Sequence, residues 1–421
     1  MGNILHNSLD VTYEDFLKSV FGMKPKPEWN ALKSLFSEIV TGKSTLVSDL
    51  SKPLRENASK AECKRVQERV SGWLGNYDFV EATGGWLLKN IPEDRLDGCT
   101  FAVDFSDISK VFGGEGMEGM AMGRDGSTGE IRMGHDFICV SLVGADYPEA
   151  LPVYVKLGRG RKSHDELISE AVAAVMERTG GKGWIVEDRG MDGAEHLWTL
   201  KRDDRKAVVR VNKMDRDVFG TGRTIDKEFA KVRFVKAELE TYRGTVKARV
   251  KWKPGVFMDE CGNKKKVLVV ESCVGGHAIW LYVTCPDSAL EDESEMERLA
   301  ILAAQAYRNR WQIERSFETV KQEFSLEKLR VRTFRRLKNV FSLCVVAYLF
   351  VTRYLRASSR FKGIVKAIRD NCTEQSLRTH PLLANLRSLI GEERIRNITG
   401  RPRKPPEKEP DQLEFAFPDA A

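Results

Sequence analysis

At 421 residues, this chain exceeds the roughly 100–200 residues of an ordinary single domain and is long enough for two or three units with substantial cores. With 42% hydrophobic and 31% charged residues, the composition is that of a soluble globular protein, which excludes wholesale disorder and a small stapled scaffold. The net charge of +7 is unevenly spread: residues 1–200 sum to −8, 201–290 to +8 and 301–410 to +14. An acidic first half and a basic second half suit an enzyme with carboxylates for a metal and Lys and Arg for a polyanion.

The first ten residues, MGNILHNSLD, show no cationic start followed by an apolar core, so no secretory signal is expected. The eight cysteines include no Cys-x-x-Cys pair, which fits free thiols in a reducing cytoplasm. Cys261, Cys273, His277 and Cys285 lie near one another in sequence, but their spacing matches no standard zinc finger. The longest apolar run, 340–351, is too short for a bilayer, which takes about 20 residues, and predicts a buried helix with no membrane partner.

Helical spacing dominates residues 12–75, with Tyr13, Phe16, Leu17 and Phe21, then Trp29, Leu32, Leu35 and Phe36. A third helix opens at Ser59 and carries Lys64, Arg65 and Arg69. Residues 1–97 are therefore expected to form a helical domain that is a candidate for binding DNA ends. The TGKSTL at 41–46 lacks the earlier glycine of a phosphate-binding loop, and the Gly-rich stretch 113–130 lacks a following helix.

From residue 100 the period shortens. CTFAVDF, DFICVSLVG and LPVYVKL are strands, a helix follows over 163–178, and GWIVED is a fourth strand. This predicts an α/β core beginning at 98–198. The stretch 199–290 is strand-rich, with Val246, Ala248, Val250 and Trp252 alternating with Lys247, Arg249 and Lys251, and reads as a β-rich insertion domain. Residues 291–330 complete the core with a helix, 331–398 form a C-terminal helical region that is a candidate for DNA binding and dimerisation, and 399–421 read as a disordered tail.

Asp104 and Asp188 each fall at the end of a strand, where α/β sites usually sit. A third carboxylate comes from the helix AYRNRWQIERSFETVKQEF. Turned at about 100° per residue, that helix places Tyr307, Arg310, Glu314 and Lys321 within about 60° of one another, beside the apolar stripe of Ile313, Phe317, Val320 and Phe324. Glu318 is the alternative carboxylate. Converging carboxylates repel unless a hard cation joins them, and Mg²⁺ suits few carboxylates plus phosphate oxygens. The expected metal ligands are Asp104, Asp188 and Glu314, holding two Mg²⁺ ions (Mn²⁺ as a substitute) about 3.5–4 Å apart for in-line displacement at a DNA phosphodiester. Arg310 and Lys321 would hold phosphates, the first as a fork and the second as a point charge. Taken singly, the aspartates also fit strand ends, and Glu314 with Arg310 fits an (i, i+4) surface pair.

FAVDFSDISK, WIVEDRGMDG and YRNRWQIERSFETVK resemble the catalytic blocks of the Asp-Asp-Glu transposases of bacterial insertion sequences, in the cut-and-paste branch with a Tyr-Arg-Glu-Lys signature. The pattern Y-x2-R-x3-E-x6-K is met by Tyr307, Arg310, Glu314 and Lys321, and the resemblance spans roughly residues 100–340. It implies a ribonuclease-H-like core, hydrolytic nicking at transposon ends, strand transfer by the freed 3′-OH, and a homodimer on terminal inverted repeats and target DNA in the bacterial cytoplasm. It also implies DNA contacts at Tyr307, Arg189 and Lys110. The second block departs from the family's usual Asp-Arg-Glu-Ala-Asp, reading Asp188, Arg189, Gly190, Met191, Asp192.

Some relatives flip a base onto an insertion-domain tryptophan, for which Trp280 or Trp252 are the candidates, with core packing as the competing role. In the tail, Gln412, Leu413, Glu414, Phe415, Ala416 and Phe417 resemble the short peptides that dock on the bacterial replication sliding clamp. Two alternatives remain open at this point: a related nuclease without strand transfer, and a catalytically inactive DNA-binding derivative.

Overall fold

The computed structural model describes residues 13–42, 45–51, 59–80, 85–110, 117–124, 129–158, 164–203, 205–258 and 263–355. The chain begins with helices: α1 over 13–21, α2 (Lys26–Thr41), α3 (Val47–Leu50), α4 (Lys60–Asn76) and α5 (Trp86–Lys89). α4 starts where its sequence says it should, because Ser59 and Glu62 form a reciprocal capping box. Strands β1 (Thr100–Ser109), β2 (Ala121–Arg124), β3 (Ile131–Val143) and β4 (Leu151–Leu157) follow, then α6 (His164–Thr179), β5 (Trp184–Glu187), α7 (Ala194–Arg202) and β6 (Ala207–Arg210). After α8 (Ile225–Glu228) come β7 (Val235–Thr241), β8 (Gly244–Met258), β9 (Lys264–Val274) and β10 (His277–Thr284). The described part closes with α9 (Glu293–Asn309), α10 (Trp311–Glu323) and α11 (Phe334–Leu349).

All ten strands join one sheet in the order β2–β3–β1–β5–β6–β10–β9–β8–β7, with β4 also on β3. β1, β5 and β6 run parallel, and the other pairings are antiparallel. The strand-rich stretch is therefore not set apart at residue 199. That position falls inside α7, β6 continues the parallel sheet, and β10 pairs with β6 so that β10 to β7 extend the same sheet. The physical reason is an edge: β6 would otherwise leave a row of unpaired backbone groups.

The central strands are apolar on both faces. Trp184, Val186 and Val208 face a core under α9, whereas Ile185 and Val209 face the core shared with α6, α10 and α11. Gly183, at φ +94°, leads into β5 where a Cβ would stand 2.5 Å from the Phe101 ring, so only glycine lets β5 lie beside β1.

The N-terminal helices do not form a core of their own. Phe16 meets Phe36, Trp86, Phe350 and Tyr354 at ring-centroid distances of 5.9, 5.2, 5.2 and 4.8 Å, so α1, α2 and α5 wrap the π-helical turn Phe350–Tyr354 that continues α11. Residues 340–351 are all buried there, and no helix among the described residues is long and apolar enough to cross a membrane. On α4, Lys60, Lys64, Arg65 and Arg69 are each exposed.

The basic face of β8 is largely committed. Lys251 is buried against Glu271 at 2.8 Å, Lys253 pairs with Glu228 at 2.6 Å, and Arg249 lies over the Phe234 ring. Charge counted along a strand does not distinguish a cation facing solvent from one already paired.

His135 on β3 is only 1% exposed, and burial together with the Lys110 ammonium pushes its imidazole down to about 4, against the pull of the Gly119 carbonyl and Asp136. The unfolded ring takes a proton near 6.5, so its contribution to stability is complete above that pH and is lost as pH falls toward 4. The urea-derived stability should therefore drop by about 3 kcal/mol more for the wild type than for His135→Gln between pH 6.5 and 4. Parallel profiles for the two proteins would remove His135 as the cause.

Candidate functional site: three carboxylates around one arginine

Register decides which residues meet at the carboxyl edge of the parallel strands. Val103 pairs with Glu187 and Glu187 with Val209, so the next positions, Asp104, Asp188 and Arg210, stand side by side across β1, β5 and β6. Alternation separates Glu187 from Asp188: Glu187 is fully buried and meets His196 Nε2 at 2.7 Å, while Asp188 turns toward α9.

The third side of the site is the break between α9 and α10, at Arg310. The sequence predicts one helix through this point, and the projection still places the right residues together. Tyr307 donates its hydroxyl to Asp188 Oδ1 at 2.9 Å. Arg310 donates through Nη1 to Asp104 Oδ2 at 2.8 Å and through Nη2 to Glu314 Oε1 at 2.7 Å, and Nη2 lies 3.8 Å from Asp188 Oδ1. One guanidinium, 2% exposed, thus faces all three predicted carboxylates. Glu318 is exposed and accepts from Gln322, so Glu314 is the carboxylate that the fold brings to the aspartates.

The two aspartates are driven apart electrostatically. Burial pushes the Asp104 carboxyl up to about 6, with Glu314 and Asp188 adding to the rise and Arg310 and the Phe105 N–H opposing it. Burial also acts upward on Asp188, but Arg310, the Arg189 N–H, the Tyr307 hydroxyl and Arg210 outweigh it and hold that carboxyl below the ordinary aspartate value. Burial works against the charge of Arg310, and the surrounding Asp104, Tyr307, Asp188 and Glu314 overcome it and raise its pKa. Among the described residues, no group of three or more His, Cys, Asp or Glu stands close enough to hold one ion. The oxygens of the three carboxylates converge on Arg310 instead of on a common point.

The other predicted residues divide. Lys321 does not reach Glu314; it meets Asp107 Oδ1 at 3.3 Å, and Asp107 also accepts from Ser109. Arg189 is exposed beside Asp188. Lys110 is not a free phosphate-binding cation. It is 5% exposed and donates to the Leu326 and Glu327 carbonyls at 2.7 and 3.0 Å, and burial pushes its ammonium down to about 8. It ties the end of β1 to the turn after α10.

Neither expected tryptophan meets the carboxylates. Trp280 packs edge-on against Phe229 at 4.9 Å, and Trp252 donates to Glu293 at 3.1 Å. The clamp-like peptide Gln412, Leu413, Phe415 and Phe417 lies outside the described residues, as do Cys261 and all of 356–421.

The sequence reading missed Arg210, whose Nη1 is 3.9 Å from Asp188 and 3.4 Å from the Tyr307 hydroxyl. AVVR at 207–210 is a short apolar run, and taking it as a third parallel strand would have pointed to Arg210. It also missed a cavity of about 380 Å³ beside Tyr307, lined by Arg210, Tyr242, Arg243, Arg308 and Trp311 among others. Trp311 is 52% exposed. A larger cavity, about 1150 Å³, lies at the opposite ends of the strands, against Thr100 and Trp184, and touches none of the three carboxylates.

With the geometry established, comparison with known proteins adds three findings. No curated protein matches the chain. A cryo-EM structure of a piggyBac transposase synaptic complex with hairpin DNA is similar over 91% of this chain and 75% of its own, at 10% identity and a TM-score of 0.41. Residues 143–350, the segment that contains Asp188, Arg210, Tyr307, Arg310 and Glu314, match the family model described as the transposase DDE domain.

Proposed function

We propose that this protein is a DNA transposase that cuts the phosphodiester bonds at the ends of its own element and joins the freed 3′-OH to target DNA. The observation that carries the reading is the meeting of Asp104, Asp188 and Glu314 at one buried arginine, beside Arg210 and Tyr307, with all of these but Asp104 in the segment that matches the transposase DDE domain. The order β4–β3–β1–β5–β6, with β1, β5 and β6 parallel, supports a ribonuclease-H-like core. The Tyr-Arg-Glu-Lys spacing supports the insertion-sequence branch.

In this reading Arg310 and Arg210 orient the phosphate to be attacked, Tyr307 holds Asp188 in position, and the cavity with Arg243, Arg308 and Trp311 receives the adjoining nucleotides through charge and a stacking surface. Mg²⁺ is proposed as the required cation, and a homodimer as the form that pairs two ends. The bacterial cytoplasm and the sliding clamp belong to the same proposal.

The test uses a linear duplex carrying the DNA that flanks this gene, incubated with protein and Mg²⁺ and a supercoiled target. Nicks with 3′-OH ends and their covalent joining to the target are expected. Nicks without joining would replace transposase by nuclease; binding without nicks would leave a DNA-binding derivative. Lys321→Ala is expected to weaken DNA binding and lower the slope of log affinity against log salt by about one. An unchanged slope would make the Lys321–Asp107 pair structural.

A further inference from the structure

Three carboxylates that fail to enclose a point but enclose a guanidinium need an explanation. Asp104 Oδ2 and Glu314 Oε1 are the oxygens most directly engaged by Arg310, and they are among the lone pairs that a divalent cation would need. The Arg310 Nε is buried with no hydrogen-bond partner, so the guanidinium is not fully satisfied where it sits. Arg210 stands 3.9 Å from Asp188 and Lys321 is on Asp107, so among the described residues Arg310 alone bridges the cluster.

We infer that Arg310 is an internal counter-ion that must leave Asp104 and Glu314 before these carboxylates can hold a divalent cation, and that a DNA phosphate draws it out. The inference rests on the proposed phosphoryl-transfer reading of the site. Arginine's planar fork suits a phosphate as well as it suits carboxylates, so DNA offers one bidentate partner to the two nitrogens that now go separately to Asp104 and Glu314. Metal affinity without DNA is reduced by the fraction of molecules in which the arginine is released. Because coupling between two binding events is reciprocal, DNA tightens metal binding and metal tightens DNA binding by one factor. The cation is thereby kept off the carboxylates until a phosphate is in place.

Mn²⁺ binding to the full-length, DNA-free protein, followed by the electron paramagnetic resonance of free Mn²⁺, tests this directly. Arg310→Gln is expected to bind Mn²⁺ at least about tenfold more tightly than the wild type, and adding Glu314→Gln to that variant should cancel the gain. Equal affinities, or a gain that survives Glu314→Gln, would overturn the inference. If circular dichroism shows that Arg310→Gln does not fold, the wild type decides: adding the duplex with gene-flanking DNA should tighten Mn²⁺ binding about tenfold or more, and no change overturns it. DNA cleaved by a wild type whose Mn²⁺ affinity equals that of Arg310→Gln would defeat the counter-ion and leave the transposase reading standing. Uncut DNA with the affinity gain intact would do the reverse.

Discussion

Asp188→Asn is expected to leave binding of element-end DNA close to the wild-type level and to lower nicking by about a thousandfold or more. The substitution keeps the shape of the side chain, and an asparagine carbonyl oxygen can still accept from the Tyr307 hydroxyl, which now meets Asp188 at 2.9 Å. What disappears is a negative charge. Arg310 and Arg210 lie 3.8 and 3.9 Å from that carboxylate and, together with the Arg189 N–H, keep it ionised despite burial. Removing one charged group from a preorganised, partly buried site typically costs about 10²–10³-fold in rate, and losing an acid–base group about 10²–10⁴-fold. Single-turnover nicking and a filter-binding isotherm on the same duplex separate the two effects. Nicking at the wild-type rate would exclude Asp188 from the chemistry, and a parallel collapse of binding would make its role one of folding.

Asp192→Ala is expected to have the largest effect on stability. The Asp192 side chain is 1% exposed and pairs with Arg216, and it accepts the Asn212 and Lys213 N–H groups at 2.7 and 3.1 Å. Arg216 also donates to the Asp192 carbonyl at 2.9 Å and lies over the Phe257 and Tyr282 rings at 5.5 Å. The carboxylate therefore fastens the turn after Asp188 to the segment leaving β6. Alanine would leave two backbone donors without their acceptor and a half-buried guanidinium with only the Asp192 carbonyl, for a loss of about 3 kcal/mol. Set against a total stability of about 5–15 kcal/mol, this change is expected to approach the threshold of folding. Asp192→Asn should cost less, because its oxygen still accepts from the backbone. Urea unfolding monitored by tryptophan fluorescence measures both; a shift below about 1 kcal/mol for the alanine variant would contradict the account.

Asp192 also shows how sequence and fold divide the work. In DRGMD it looks like part of a catalytic block, but its contacts are to the chain that follows β6. Lys110 behaves similarly: one position after β1, it reads as a phosphate contact and is instead buried against two carbonyls. Lys251 and Lys253 add to the basic sum of the middle segment and are already paired. In each case the sequence supplies a charge, and burial and the partner decide its use.

Periodicity alone determined much of the rest. The short apolar runs that mark β1, β3, β4 and β5, the longer one that becomes α11, and the single helical face carrying Tyr307, Arg310 and Glu314 are local properties, because run length and the helical repeat of about 3.6 residues can be read from neighbours in the chain. The tertiary structure alone decided what lies far apart in the chain: that Asp104, Asp188 and Arg210 are neighbours across three parallel strands, that β10 to β7 extend the same sheet, that α1 and α2 bury their aromatic faces on α11 and the turn that continues it, and that one guanidinium stands among three carboxylates. Those relations depend on strand register, edge pairing and helix packing, which bring together residues that are not neighbours in the chain and leave no periodic trace in the sequence.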